Sequence, residues 1–538
     1  MNDIQEAKLI VEKPTQAQQL MNLASEAELF RGDDSTDYGR FKEQGHFETW
    51  PLKSNPFKDW LRRGFYQIHH KPPGSQALQD AIGMLEAQTK ETKKVFIRVG
   101  QLDNKIYLDL ANPKWQVVEV SAEGWSVINN PPVVFRRTKG MMALPLPAKG
   151  DIEELRRFLN VDDDSWRLVK AYLAGCLNPS TPYPILIVYG EPGSAKSTLA
   201  WTLKSLIDPT LAPLRSAPKE ERDLVISATN GWVMSYDNLS FMTQWLSDAF
   251  CRLSTGGGLA TRSLYKDAEE QIFDVRRPVM FTCVTQVAGQ SDLLDRSITI
   301  SLEAIPDDER LEEKVFLERF SEVKPQILGG LLDSTSRALR ETFILPKLPR
   351  MADFAIWAAR GSNESMAFMN AYELNQAERN EMALDFSPIA KPLMELVEGV
   401  SWEGTAEELL DQLSGRVEDK VRKAKYWPNN ARALSGQLTR VAPNLRAVGI
   451  TIKKKRTNKQ RVLLISYISE ETVTQSDAND GRHPILSNEE EESIRYNRKT
   501  PSLPSLPSLE ECQHTSFIET EYGERCANPN CQIFKEQL

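Results

Sequence analysis

The sequence predicts an α/β protein: a P-loop αβα core, an α+β region before it, and a helix-and-hairpin domain and a cysteine-bearing tail after it. Three observations carry this prediction. Ile185-Leu186-Ile187-Val188-Tyr189 is an apolar run too short for a helix, so it reads as a buried strand. A two-glycine turn, Gly190-Glu191-Pro192-Gly193-Ser194-Ala195-Lys196-Ser197, follows directly, and Thr198-Leu199-Ala200-Trp201-Thr202-Leu203 opens a helix. Two further buried runs, Trp232-Val233-Met234-Ser235-Tyr236 and Pro278 to Val284, supply more strands for one sheet.

The bulk numbers bound the reading. A chain of 538 residues with ordinary apolar and charged fractions should hold several domains. It has no apolar run of membrane-spanning length, and Asp3 and Glu6 stand where a secretory signal would need basic and apolar residues. Only Cys176, Cys251 and Cys283 lie outside the last 27 residues, which points to a reducing cytoplasm. Histidines occur at 46, 69, 70, 483 and 514 alone, which excludes a serine–histidine triad or a histidine-rich metal centre in the middle of the chain. Net charge is −9, yet residues 416–461 carry 14 Lys/Arg against Glu418 and Asp419. That concentration of +12 on an otherwise acidic chain is the electrostatic footprint of a nucleic-acid partner; the bland alternative is a solvated face.

Taken in order, residues 1–150 form an α+β domain. Phe57 to Phe65 and Ala77 to Thr89 read as helices; Val95 to Val99, Lys105 to Leu110, Trp115 to Val120 and Gly124 to Ile128 read as strands. No clustered carboxylates of a primase or polymerase metal site occur there. Prolines 131, 132, 145 and 147 mark a boundary. Residues 151–305 form the P-loop core, entered through helices at Ile152 to Leu159, capped by Asp151, and Ser165 to Leu177. Residues 306–400 are helical. Residues 401–468 open on a helix with a Thr405–Glu408 capping box, continue with a helix over Ala431 to Val441, and close on strands at Ile450 to Ile452 and Val462 to Ile465. Helices followed by a hairpin is the order of a winged helix. Residues 469–511, with Pro501-Ser502-Leu503-Pro504-Ser505-Leu506-Pro507-Ser508, are a linker, and 512–538 the tail.

The chemistry concentrates in the core. Loop N–H groups from Gly190 to Ser194 and the positive helix N-terminus at Ala195 to Thr198 would cradle phosphates. Lys196 would reach the β- and γ-phosphates of ATP and the Ser197 hydroxyl would bind Mg²⁺. Ala195 stands where glycine is usual; alanine disfavours positive φ, so the loop is expected to be helix-like there. Asp237, ending a strand-like run about 40 residues beyond Lys196, is the expected magnesium carboxylate. Asn238 follows it, and an amide orients water but cannot accept its proton. The bland alternative for Asp237-Asn238 is a turn after a buried strand. Thr282, on the Pro278 to Val284 strand, would sense the γ-phosphate. Leu259 to Tyr265 and Gln271-Ile272-Phe273 make a hairpin with Lys266 near its tip and Arg262 on its first arm. Arg296 would serve as a finger on a neighbouring subunit's nucleotide, or else form a surface ion pair with Asp292 or Asp295.

In this order the Gly190 to Ser197 loop, Asp237-Asn238-Leu239-Ser240, Thr255-Gly256-Gly257-Gly258, the Lys266 hairpin, Arg277-Pro278 and Asp295-Arg296 resemble a superfamily-three helicase core. More narrowly, they are similar to phage and mobile-element ATP-binding proteins of the poxvirus-type primase–helicase class. The resemblance spans about residues 25–468 and includes Arg350 to Ala355 and Trp402 to Leu409. It implies an AAA+-like homo-hexameric motor, a hydrolase that moves single-stranded or forked DNA through a ring with the hairpin facing the pore. Such proteins often carry a fused primase; this chain shows none, so a separate primase or polymerase is the expected partner, and the missing apolar span leaves no membrane partner expected. The alternatives are an ATP-binding switch or scaffold that hydrolyses little, which Asn238 favours, and a transcriptional regulator.

Outside the core, Lys453, Lys454, Lys455, Arg456, Lys459 and Arg461 lie on the expected wing, and Arg432 and Arg440 on the helix offered to DNA. Cys512, His514, Cys526 and Cys531 supply four zinc-type ligands in 20 residues. The alternative is three reduced cysteines in a disordered tail.

Overall fold

The apolar runs that close on Asp237, Gly190 and Cys283 become neighbouring strands of one parallel sheet. The computed structural model describes residues 13–257, 259–262, 270–273, 275–284, 291–345, 348–398, 400–424, 426–456, 461–467, 517–520 and 523–526. Strands β1 (Ile185–Gly190), β2 (Met234–Tyr236), β3 (Val279–Cys283) and β4 (Ser297–Leu302) lie in the order β2-β3-β1-β4, every pair parallel. Alternate residues face opposite ways, so Leu186, Val188, Met280, Ile298 and Ile300 join one core and Ile185, Ile187, Met234, Val279 and Phe281 another. A strand covered on both faces needs apolar residues at every position, which is why these segments are continuous apolar runs. Helix α1 (Lys196–Ile207) and the Asp163–Cys176 helix cover the first face; Glu221–Asn230 and Gln244–Thr255 cover the second.

The amino-terminal region holds three sheets, the smallest pairing Val95–Phe96 with Val134–Phe135 in parallel. Glu28–Gly32, Asp37–Glu43 and His46–Pro51 form an antiparallel meander over helices Gln16–Ala24, Asn55–His69 and Ser75–Gln88. Val99–Leu102, Lys105–Asp109, Val117–Ser121 and Gly124–Ile128 form a second meander. Its buried Val99, Ile106, Leu108, Val118 and Val120 belong to the same core as Leu186 and Val188, so apolar packing is continuous across residue 150.

Three expectations need correction. Val95 to Val99 is not one strand: it breaks at Arg98, which takes φ +61°. The cause is the side chain, fully buried and donating to Asp208 Oδ1 at 3.1 Å and to the carbonyls of Asp109, Met142 and Pro209 at 3.0, 2.9 and 3.3 Å. Ile152–Phe158 is capped by Asp151 as expected but winds as a 3₁₀ helix. Ala195 is left-handed, at φ +62° and ψ 28°, not helical.

Beyond β4, helix α2 (Glu313–Arg340) and helices Ala352–Gly361, Ser365–Asp385 and Ala390–Leu396 fill the helical region. The next unit runs β5 (Trp402–Gly404), α3 (Ala406–Ser414), a turn of helix at Asp419–Arg422, α4 (Ala431–Ala447), β6 (Ile450–Arg456) and β7 (Arg461–Tyr467). The Thr405–Glu408 capping box forms. The sheet order is β5-β7-β6, antiparallel throughout. Its core joins Leu409, Leu413, Leu434, Leu438 and Ile465 to Ile389, Leu393 and Val397, upstream of Ser401. The chain divides into two compact units, Met1–Glu470 and Glu471–Leu538. The second unit contains an antiparallel hairpin of Phe517–Thr520 and Gly523–Cys526. Among the described residues no helix is long and apolar enough to cross a membrane.

Candidate active site

Parallel strands end together, and their carboxyl ends carry the polar residues. Register pairs Val188 with Thr282 and Tyr236 with Phe281, so the loop after β1, Asp237 after β2 and Thr282 near the end of β3 meet at one edge. β1 departs toward β2 across β3, and such crossings leave a crevice at the carboxyl edge of an open sheet.

The loop from Gly190 to Ala195 turns on unusual backbone. Gly190 takes φ +153° and Gly193 φ +85°; a Cβ on Gly190 would lie 2.2 Å from the Leu302 carbonyl oxygen. Lys196, the first residue of α1, folds its ammonium back across the loop and donates to the carbonyls of Gly190 at 2.8 Å and Glu191 at 2.6 Å and to Ser194 Oγ at 3.3 Å. Ser197 Oγ donates to Asp237 Oδ1 at 2.9 Å and lies 3.0 Å from Oδ2. Thr282 Oγ1 donates to Asp237 Oδ1 and accepts the Asn238 N–H at 2.8 Å. Asp237 N–H donates to the Arg215 carbonyl at 2.8 Å, and Leu239 N–H to the Thr282 carbonyl at 2.8 Å. Lys196, Ser197, Asp237, Asn238 and Thr282 are therefore brought together, with Glu191, Pro192, Ser194 and Thr198 around them.

The carboxylate and hydroxyl at 2.9 Å, an ammonium on the same helix turn and a loop with two positive-φ glycines form a donor set that fits a magnesium-bound nucleotide. Arg215, Asn160 and Arg310 belong to the surroundings but had no signal in the sequence, being single residues in irregular segments. Asn160 Nδ2 donates to the Glu303 carbonyl at 2.8 Å and reaches the Ser194 carbonyl at 3.5 Å.

Left-handed backbone at a residue with a Cβ costs about 1–2 kcal/mol, and Ala195 carries that strain. Ala195→Gly is expected to leave thermal stability unchanged or raise it by up to about 1 kcal/mol, and Ala195→Val to lower it by about 1–3 kcal/mol. Thermal unfolding of both variants checks this. A loss of about 1 kcal/mol in the glycine variant, the ordinary cost of glycine in a helix, would restore the helical assignment.

Arg296 is placed elsewhere. It adjoins Ile185 at the start of β1, since Ile185 N–H donates to the Arg296 carbonyl at 2.9 Å. The length of β1, about 17 Å, separates that edge from the Gly190 end. Its guanidinium is ion-paired with Asp292, and Arg350 bridges Asp292, at 2.9 Å, and Asp295. The intrachain ion pair with Asp292 is thus formed, and contact with this chain's own loop is excluded by distance.

The basic segment surrounds the hairpin of β6 and β7. Lys453, Lys454, Lys455, Arg456 and Arg461 are exposed, as are Arg432 and Arg440 on α4; Lys454 Nζ donates to Thr439 Oγ1 on α4 at 3.0 Å. Lys459 lies outside the described residues. The Leu259–Arg262 and Glu270–Phe273 strands pair antiparallel, Arg262 opposite Glu270, as the hairpin expectation requires; Lys266 lies outside the described residues. Cys526 ends a strand of the tail hairpin, whereas Cys512, His514 and Cys531 lie outside the described residues. Among those described, no group of three or more His, Cys, Asp or Glu is placed to hold a metal.

Residues 152–381 match the model of the actinomycete integrative conjugative element replication proteins, and residues 389–479 match the model of the RepA C-terminal domain of the same elements. The second match begins at Ile389, within the Leu384 to Val397 stretch that packs into the core of residues 401–467. No curated protein matches the chain. Among solved structures, the A-form apo structure of the NrS-1 C-terminal region is 12% identical with a TM-score of 0.36, over 85% of this chain and 100% of that one. A second apo structure of that region is 10% identical with a TM-score of 0.34, over 85% and 100%. TM-scores this low assign neither fold nor activity.

Proposed function

We propose that this chain, a replication protein of a mobile element, is a DNA-dependent ATP hydrolase that works as a ring-shaped helicase or translocase. The convergence of Lys196, Ser197, Asp237 and Thr282 at one sheet edge carries the reading. Bound Mg²⁺ would draw charge from the β- and γ-phosphates, and Ser197 and Asp237 are the residues to hold it. Lys196 exchanges its loop carbonyls for phosphate oxygens. Thr282 fixes the Asp237 carboxylate, and its hydroxyl fixes the Asn238 backbone. The Asn238 amide orients water without accepting its proton.

The ring reading is supported by Arg296, which lies too far from its own loop to touch that loop's nucleotide and would reach one only across a subunit boundary, after release from Asp292. In that ring the paired strands Leu259–Arg262 and Glu270–Phe273 belong to the element that would face the DNA, and a primase or polymerase is a separate chain. Residues 401–468 are read as a winged helix, and zinc in the tail remains part of the proposal. Turnover measured with and without single-stranded DNA, beside strand displacement on a forked duplex, tests the whole. Stimulated turnover with displacement is the expected result. ATP binding with little turnover, the outcome Asn238 would favour, leaves an ATP-dependent switch or scaffold instead; no ATP binding overturns both.

The wing makes a separate prediction. Replacing Lys453, Lys454, Lys455, Arg456 and Arg461 by glutamine should weaken initial DNA binding strongly. It should also reduce the slope of log K against log salt by about 0.7–0.9 for each DNA phosphate that is no longer neutralised. Binding titrations between low and moderate salt check it, and an unchanged slope would remove the wing from the interface.

A further inference from the structure

We propose that Arg310 is a phosphate-contacting residue of this nucleotide site, delivered in cis by the segment that leaves β4; the proposal rests on the reading of the Gly190 to Ser197 loop as the ATP site. β4 ends beside the loop, with Leu302 in register with Gly190. The chain then stays on it. Ile305 N–H donates to the Gly193 carbonyl at 3.3 Å, and Asn160 ties the Glu303 carbonyl toward the Ser194 carbonyl. After Pro306 a single 3₁₀ turn, Asp307–Glu309, aims the next side chain back at the loop.

That side chain is Arg310. A Cβ built on Gly193 would lie 2.9 Å from Arg310 Nη2 and 3.7 Å from Cζ, so the guanidinium rests against the loop backbone itself. Position 193 is therefore restricted twice, by its φ of +85° and by the guanidinium above it. Arg310 Nη1 pairs with Asp307 Oδ1 at 3.0 Å, but the two side chains are 54% and 91% exposed. An ion pair that open is weak, so it yields readily to a doubly charged phosphate. The planar fork of donors suits two phosphate oxygens at once, which the point charge of Lys196 does not. Arg310 and Arg296 are therefore different devices, the first on the chain's own nucleotide and the second at the opposite edge of the sheet.

The test is a titration of the full chain with ATP and AMP by calorimetry, using Arg310→Gln, Arg310→Lys, Asp307→Asn and Lys196→Ala, with melting temperatures measured in parallel. Arg310→Gln is expected to weaken ATP about tenfold and AMP hardly at all. Arg310→Lys is expected to recover part of the loss, and Asp307→Asn to bind ATP at least as tightly as the parent. ATP binding unchanged in Arg310→Gln while Lys196→Ala loses it would overturn the role of Arg310 alone. Equal loss of ATP and AMP, or a lowered melting temperature, would show a structural role and overturn it as well. ATP binding that survives in Lys196→Ala would instead overturn the nucleotide assignment of the loop, and this proposal with it.

Discussion

Lys196→Ala is expected to lower DNA-stimulated ATP turnover by a factor of about 10²–10³ or more, with the fold intact. The ammonium is the only cation among the described residues of the loop itself, and alanine leaves no positive charge there to meet the charge of the transferring phosphoryl group. The fold survives because the hydrogen bonds removed go to the last residue of β1 and to the loop after it, and none reaches either apolar core. Phosphate release with and without single-stranded DNA, beside a thermal melt, checks both halves. Full turnover in this variant would remove the loop from the chemistry.

Asp208→Asn is expected to destabilise the protein by about 3–5 kcal/mol without touching that chemistry. Asp208 and Arg98 are completely buried, and Asp208 also accepts from Lys204 Nζ at 3.3 Å and from the N–H groups of Trp232 and Val233 at 3.0 and 3.1 Å. Asparagine removes the one negative charge between two buried cations. Lys204 lies on α1 and Arg98 in the amino-terminal region, so the loss falls on the joint between that region and the helix behind the loop. The pH dependence has a definite sign. Burial pushes the Asp208 carboxyl up, but Lys204, Arg98 and the two amides outweigh it and hold it at about 2. The folded value is thus depressed below the ordinary ~3.9 of an unfolded aspartate, so the contribution is full above pH ~4–5. It is lost as pH falls toward 2, an amount of roughly 2–3 kcal/mol. Denaturant unfolding of parent and variant between pH 6 and 2 measures it. The variant should show a shallower decline below pH 4, and parallel curves would contradict the assignment.

Two kinds of information separate in this chain. The strands at Ile185–Gly190, Val279–Cys283 and Ser297–Leu302, the Thr405–Glu408 capping box and the grouping of Lys196, Ser197 and Asp237 were legible along the sequence. Doubly covered strands must be continuously apolar, caps act over three residues, and parallel strands deliver the residues after them to the same edge. These are local constraints, and a linear text can carry them. β5, by contrast, is three residues of little intrinsic preference, made a strand only by β7 alongside it. The break at Arg98 exists because Asp208, 110 residues on, lies where a buried guanidinium can reach it. The left-handed Ala195 reverses the conformation its own propensity favours, because the loop between β1 and α1 leaves no other path. Arg310 lies on Gly193 only through the register of Leu302 with Gly190. The sequence by itself determined the layered α/β core and the residues of the Gly190 to Ser197 loop, through periodicity and short-range chemistry. Tertiary structure decided which distant charges meet, because that depends on strand order and packing, which no local window contains.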